Sequence, residues 1–207
     1  MPELWIKICG MCGAADVDAA VGAGADALGF VFHEPSPRNL TLDAARAMQR
    51  AVPKGLERVA VFLHPAQALV DAVIDALQPD WLQTDLGDLE KLELPADQRV
   101  LPVLRRTGET LRSRDGTPIG RHRVMLDGGT SGVGMRADWA AARGLAARCE
   151  LVLAGGLDPG NVAEAVATVR PFGLDVSSGV ERARGVKDPA RIREFIDAAR
   201  GAARTLN

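Results

Sequence analysis

The sequence predicts an α/β fold, a single (βα)8 TIM barrel whose eight parallel strands close on themselves and whose fourth and fifth helices are short. Three observations predict it. Eight apolar runs start about 20 to 30 residues apart, the length of a strand, a crossover helix and its loops. The segments between several of them repeat apolar residues at helical spacing. The runs themselves are nearly continuous in apolar character, which implies strands buried on both faces, as in a parallel sheet.

The runs are, in order, Leu4 to Cys9, Ala27 to Phe32, Arg58 to Leu63, Asp80 to Gln83, Val100 to Leu104, Arg123 to Leu126, Leu151 to Ala154 and Phe172 to Val176. Between the first two, Val17, Ala20 and Val21 form an apolar stripe; Val70, Val73, Ile74 and Leu77 do so after the third run. Val162, Ala165, Val166 and Val169 follow the seventh run, and Ile192, Phe195, Ile196 and Ala199 the eighth. Each stripe lays one helix face on the sheet. Asp158-Pro159 and Asp188-Pro189 each offer an N-cap carboxylate followed by proline at the first helical position. Between Leu86 and Gly120 the fourth and fifth helices are short and charged, and their boundaries stay undrawn. No linker or low-complexity stretch divides the chain, so residues 1–207 are expected to form one domain. An open doubly wound sheet is the alternative, but no G-x-G-x-x-G turn follows the first strand.

Composition excludes several function classes. Lysine and arginine number 25 against 27 aspartates and glutamates, with no basic stripe, so nucleic acid is not an expected partner. Met1 to Lys7 lacks a signal-peptide pattern, and no apolar run reaches the roughly 18 residues of a membrane span. A cytoplasmic protein with no membrane partner is expected. Three cysteines, at 9, 12 and 149, argue for free thiols. Cys9 and Cys12 form a C-x-x-C pair, but a closed zinc site needs two more ligands and no second close pair is present, so no metal is expected. Cys12 then reads as a small apolar filler.

In a barrel of this kind the site forms at the C-terminal ends of the strands. The first strand delivers Cys9 there, the loop after the second delivers Arg38, the sixth Asp127 and the eighth Asp175. Gly155-Gly156 after strand seven and Ser178-Gly179 after strand eight read as a phosphate cup, because glycines let backbone N–H groups approach an anion. Either pair alone would read as a tight turn. Cys9 faces that cup with Lys7 close in sequence, a setting expected to draw its pKa down toward use as a proton acceptor. Asp127 ends an apolar strand, where burial would raise its pKa and keep a proton available, although Asp-Gly is also a common turn pair. Arg38 offers a fixed fork for a carboxylate, or a solvated loop charge.

At these residues the chain resembles the phosphoribosylanthranilate isomerase family, from Lys7 to about Phe195. The resemblance rests on Lys-Ile-Cys-Gly at 7 to 10, the run at 24 to 32, Ser-Pro-Arg at 36 to 38, Leu-Asp at 126 and 127 and Asp-Trp at 138 and 139. Leu-Ala-Gly-Gly-Leu at 153 to 157, Asp-Val-Ser-Ser-Gly-Val-Glu at 175 to 181 and Gly-Val-Lys-Asp at 185 to 188 complete it. It implies an Amadori rearrangement in tryptophan biosynthesis, without metal or cofactor, of N-(5-phosphoribosyl)anthranilate to 1-(2-carboxyphenylamino)-1-deoxyribulose 5-phosphate. By that likeness Asp127 protonates the ribose ring oxygen and Cys9 removes the C2 proton. Arg38 would hold the anthranilate carboxylate, and Gly155, Gly156, Ser178 and Gly179 the phosphate. Asp175 would hold a ribose hydroxyl, or order a loop as an acceptor.

The chain departs from the family at one point. Relatives usually end strand four in glutamine, an apolar residue, histidine and glycine; here it reads Gln83-Thr84-Asp85-Leu86. Asp85 thereby adds a second strand-end carboxylate and a second candidate proton donor. The glycine-rich loop after Asp127, residues 128 to 134, is short. A phosphosugar is the expected partner of a monomer or homodimer. Other readings are an isomerase of a related aminoaldose phosphate, a catalytically silent phosphosugar-binding barrel, and a C-x-x-C redox or metal protein.

Overall fold

The computed structural model describes residues 4–105, 122–128 and 138–206. Eight parallel strands close into a barrel in sequence order. They are β1 (Trp5–Cys9), β2 (Ala27–Phe32), β3 (Glu57–Phe62), β4 (Trp81–Asp85), β5 (Arg99–Leu104), β6 (Arg123–Asp127), β7 (Glu150–Ala154) and β8 (Gly173–Val176). Closure is made by β8 pairing back on β1, with Lys7 opposite Asp175. Between them run α1 (Ala14–Ala23), α2 (Leu42–Ala51), α3 (Gln67–Leu77), the single turn α4 (Leu86–Leu89), α5 (Trp139–Ala146) and α6 (Val162–Val169). A small hairpin, β9 (Glu181–Ala183) and β10 (Val186–Lys187), precedes the last helix, α7 (Pro189–Thr205). The fourth helix is thus as short as the sequence implies. The expected fifth helix falls at residues 106–121, outside the described residues.

The stripes predicted for α1, α3, α6 and α7 are buried against the barrel, with Val17, Val70, Val73, Val162, Ile192 and Phe195 wholly inaccessible. Asp188 caps α7 as expected, accepting from the backbone N–H groups of Ala190 and Arg191 at 2.9 and 3.4 Å. Asp158 does not cap α6. Its side chain accepts from Gly160 and Asn161 within a turn, and the helix starts at Val162. The Asp158 carboxylate finds its donors two and three residues on, which closes an Asx-type turn in competition with the cap.

Alternation along each strand sends every second side chain into the barrel. On β1 these are Trp5, Lys7 and Cys9, and their chemistry changes with height. At the N-terminal end Arg123 stacks on Trp5, Trp81 and Phe172, with its guanidinium carbon 4.9, 4.7 and 4.3 Å from the ring centroids. This aromatic plug closes one mouth. Lys7 lies above it, fully buried. Cys9 reaches the opposite mouth. Gly29 on β2 makes room for both: a Cβ there would sit 2.7 Å from Cys9 Sγ and 3.0 Å from Lys7 Cε.

Candidate active site

A cavity of about 340 Å3 opens at the C-terminal mouth. Of the residues singled out from sequence, Cys9, Arg38, Asp127, Gly155, Gly156, Asp175 and Ser178 all line it. Gly179 does not. It lies behind the cavity wall, where a Cβ would overlap the carbonyl of Leu157, so its part is to let the loops after β7 and β8 touch.

Lys7 Nζ donates to Asp175 Oδ1 at 2.7 Å, both groups buried. Burial alone would strip the lysine of its charge, but Asp175 and Cys9 outweigh it and raise the lysine pKa. An ammonium ion therefore sits beside the thiol. Even so, the Cys9 thiol is not drawn down, contrary to the expectation from sequence. Burial is the largest influence and pushes it up; Lys7 only partly opposes this. A thiolate here is unfavourable until something pairs with it, and Lys7 is the group in place to do so.

Asp127 behaves as its position suggests. Burial raises its pKa, Arg105 opposes the rise, and the neighbouring Asp175 and Asp85 carboxylates add to it. Arg105 follows directly on β5, and its Nη1 donates to Asp127 Oδ2 at 2.8 Å. Its Nε and Nη2 donate to Asp85 Oδ1 at 3.0 and 2.7 Å. Asp85, which replaces the histidine usual in the family, thus pairs with an arginine at the same mouth.

Arg38 is buried, and Glu181 takes one edge of its guanidinium: Nε to Oε1 at 2.6 Å and Nη2 to Oε2 at 2.8 Å. Lys187 Nζ donates to Glu181 Oε1 at 2.8 Å and to the Ser177 carbonyl at 3.0 Å. Burial would raise the Glu181 carboxyl, but these two cations hold it down at about 2. An arginine has five N–H donors, and among the described residues no second acceptor meets the Arg38 fork, whose other edge can take a carboxylate from the cavity.

Gly155 and Gly156 adopt φ of +87° and +64°, a region that L side chains enter only with strain. The turn that follows is pinned by Asn161, whose Nδ2 donates to the Gly156 carbonyl at 2.8 Å and whose Oδ1 accepts from Asp158 N at 3.0 Å. Ser178 opens the short turn after β8. Among the described residues no protein acceptor takes the N–H of Gly155, Gly156 or Ser178. They can serve an anion.

Metal-type ligands gather beside the Asp85–Arg105 pair: His64, Asp85 and Asp88 place one ligand atom each within 4.8 Å of the others. Arg105 already engages Asp85, and His64 with Thr84 engages Asp88. Cys12 is exposed, apart from the buried Cys9 of its C-x-x-C pair. No helix among the described residues is long and apolar enough to cross a membrane.

A family model described as N-(5'phosphoribosyl)anthranilate (PRA) isomerase matches residues 6–198. The chain belongs to that family. An N-(5'-phosphoribosyl)anthranilate isomerase of Thiobacillus denitrificans is 42% identical, across 94% of this chain and 97% of the relative. The crystal structure of phosphoribosyl anthranilate isomerase from Thermotoga maritima superposes with a TM-score of 0.78 at 31% identity, covering 96% of this chain and 99% of that one. A further isomerase structure holds reduced 1-(o-carboxyphenylamino)-1-deoxyribulose 5-phosphate, with a TM-score of 0.75, 30% identity and coverage of 96% and 99%.

Two residues of the isomerase site had no role assigned from sequence. Glu181 lies within a matched motif, yet only the folded chain shows that it grips Arg38. Arg105 sits in the stretch whose boundaries stayed undrawn; its signal was the inward phase of the fifth strand, where Leu101 and Val103 lead to position 105.

Proposed function

We propose that the chain isomerises N-(5-phosphoribosyl)anthranilate to 1-(2-carboxyphenylamino)-1-deoxyribulose 5-phosphate by general acid and base catalysis. The observation that carries this reading is one cavity lined at once by Cys9, Asp127, Arg38 and the Gly155-Gly156 turn. In this account Asp127 gives its proton to the ribose ring oxygen, the C1–O bond breaks, and the nitrogen lone pair forms a Schiff base. The Cys9 thiolate takes the C2 proton, the released pair becomes the C1–C2 double bond of an enolamine, and the C1–N π pair returns to nitrogen. A proton from the Cys9 thiol to C1, and the C2 hydroxyl proton to Asp127, give the ketone and restore both groups.

The pairing of an ammonium with Cys9 supports the base role. Lys7 compensates the thiolate charge that burial otherwise opposes. The raised pKa of Asp127 supports the acid role. The second edge of Arg38 supports recognition of the anthranilate carboxylate, and the loops of Gly155, Gly156 and Ser178 support the phosphate. Asp175, held by Lys7, remains near enough to the cavity to accept a ribose hydroxyl.

The test is turnover by the purified chain with no metal added. Consumption of phosphoribosylanthranilate, read as loss of its anthranilate-type fluorescence, is the expected result. Tight phosphosugar binding with no fluorescence change would instead favour a silent binding barrel.

A further inference from the structure

Asp127 is the proposed proton donor, yet the group nearest it is a cation. Arg105 Nη1 lies 2.8 Å from Asp127 Oδ2 while the other edge of the same guanidinium is held by Asp85 at 2.7 and 3.0 Å. A planar guanidinium gripped at two nitrogens by one carboxylate is fixed in orientation, so its third nitrogen is aimed. All three side chains are mostly shielded from water, with 25, 22 and 19% of the Arg105, Asp85 and Asp127 side chains exposed. The strand register accounts for the meeting. Asp85 ends β4 opposite Val103, Arg105 lies two residues further on, just past β5, and Asp127 ends β6 level with it, so three adjacent strands bring their ends to one mouth and the long arginine reaches both carboxylates.

Resting on the isomerase reading above, we propose that Arg105, braced by Asp85, is a positioning residue for the proton donor. It aims the Asp127 carboxyl into the cavity and holds the carboxylate left behind when the O–H bond breaks and its electron pair stays on oxygen. Asp85 is then the anchor of that arginine and not a second donor. This gives the replacement of the family's usual histidine a physical role. The strand-four position carries a carboxylate here because the strand-five position carries a cation that must be fixed at one end.

The groups facing Asp127 define the electrostatics. Among the described residues, Asp85 comes from β4, Arg105 from the end of β5 and Asp175 from β8; Cys9, with Lys7 behind it on β1, shares the cavity, and Ala154 of β7 lies alongside. With one proton distributed between Asp127 and Cys9, the acid limb of kcat/KM reports the more acidic of the two, Asp127. Removing the Arg105 charge takes away a stabiliser of the carboxylate, so the limb must move to higher pH. Removing the Asp85 charge takes away a destabiliser of the carboxylate while an amide oxygen still accepts from Arg105, so the limb must move to lower pH. A merely structural role would not produce shifts of opposite sign.

The experiment compares pH profiles of wild type, Arg105→Gln, Arg105→Lys, Asp85→Asn and Asp127→Asn in the fluorescence assay. Expected are an upward shift of about one pH unit and a loss in kcat of about tenfold or more for Arg105→Gln, with Arg105→Lys returning the limb toward wild type. Asp85→Asn should lose no more than about tenfold and move the limb downward, whereas Asp127→Asn should lose about 10²-fold or more. Limbs that stay in place, or move in the same direction, overturn the proposal; so does an Asp85→Asn loss equal to that of Asp127→Asn. Should Arg105→Gln fail to fold, Arg105→Met carries the same upward sign and Asp85→Asn still carries the downward one. A wild-type protein without turnover defeats the isomerase reading itself, which separates the two failures.

Discussion

Gly29→Ala perturbs the base of the reaction without replacing a titratable group. The added methyl would lie 2.7 Å from Cys9 Sγ and 3.0 Å from both Cys9 Cα and Lys7 Cε. Ordinary contact for a methyl begins near 3.4 Å, so the sulfur must retreat by about 0.7 Å or the two strands must part. Lys7, which the methyl also meets, cannot give way easily, because it is fully buried and tied to Asp175. Overpacking of this kind costs about 1–3 kcal/mol, a fall in Tm of roughly 2–12 °C for a chain of this size. A displacement approaching 1 Å at a reacting group costs up to about 10²-fold in rate, so kcat should fall about 10- to 100-fold. Gly22→Ala is the control. It lies in α1 with nothing within 4 Å of the new methyl, and should stabilise the chain by about 0.5–1 kcal/mol with activity retained. Steady-state turnover and thermal melting of the pair decide the matter. Wild-type kcat and Tm in Gly29→Ala would refute the close approach of β2 to the Cys9 thiol.

Lys7→Met leaves Asp175 as an uncompensated buried charge, which should cost about 3–5 kcal/mol, or roughly 6–20 °C in Tm by calorimetry. An unchanged melt would mean the pair contributes nothing. Gly179→Ala forces the loops after β7 and β8 apart at Leu157, so KM should rise by about tenfold or more while kcat changes less, and inorganic phosphate should inhibit more weakly. Glu181 tests the pH dependence of stability. Its folded pKa lies near 2, below the ordinary 4.5, so its contribution is fully present above pH 4.5 and is lost as pH falls toward 2. The urea midpoints of wild type and Glu181→Gln should therefore differ most above pH 4.5 and converge toward pH 2. A gap that is constant with pH would show that ionisation of Glu181 is not what stabilises it.

Most of the fold was legible because barrel strands are short, apolar and evenly spaced, and their stripes of Val, Ile and Ala match helices that cover them. The start of α6 was misplaced for a local reason. Asp158-Pro159 has the composition of a cap, but the Asp158 carboxylate finds its donors at Gly160 and Asn161 first. At the site, the strand-end rule located Cys9, Asp127 and Asp175, since chain position alone says which residue reaches the mouth. It did not give the sign of the Cys9 pKa, because amide dipoles and a nearby lysine can be counted from sequence whereas complete burial cannot. Arg105 and Glu181 escaped for a related reason. Each acts through a partner distant in sequence, 22 residues away at Asp127 and 143 at Arg38; the pairing of β5 with β6 brings the first two together, and closure of the barrel between β8 and β1 the second two.

The central claim is that one thiol and one carboxyl at this mouth carry the proton transfers of an aldose-to-ketose rearrangement. Turnover of phosphoribosylanthranilate by Cys9→Ala and Asp127→Ala, each compared with wild type by fluorescence loss, tests it most directly. Expected are turnover in the wild type and a fall in kcat of about 10²-fold or more in each variant, with inorganic phosphate still bound. Wild-type rates in both variants would contradict it.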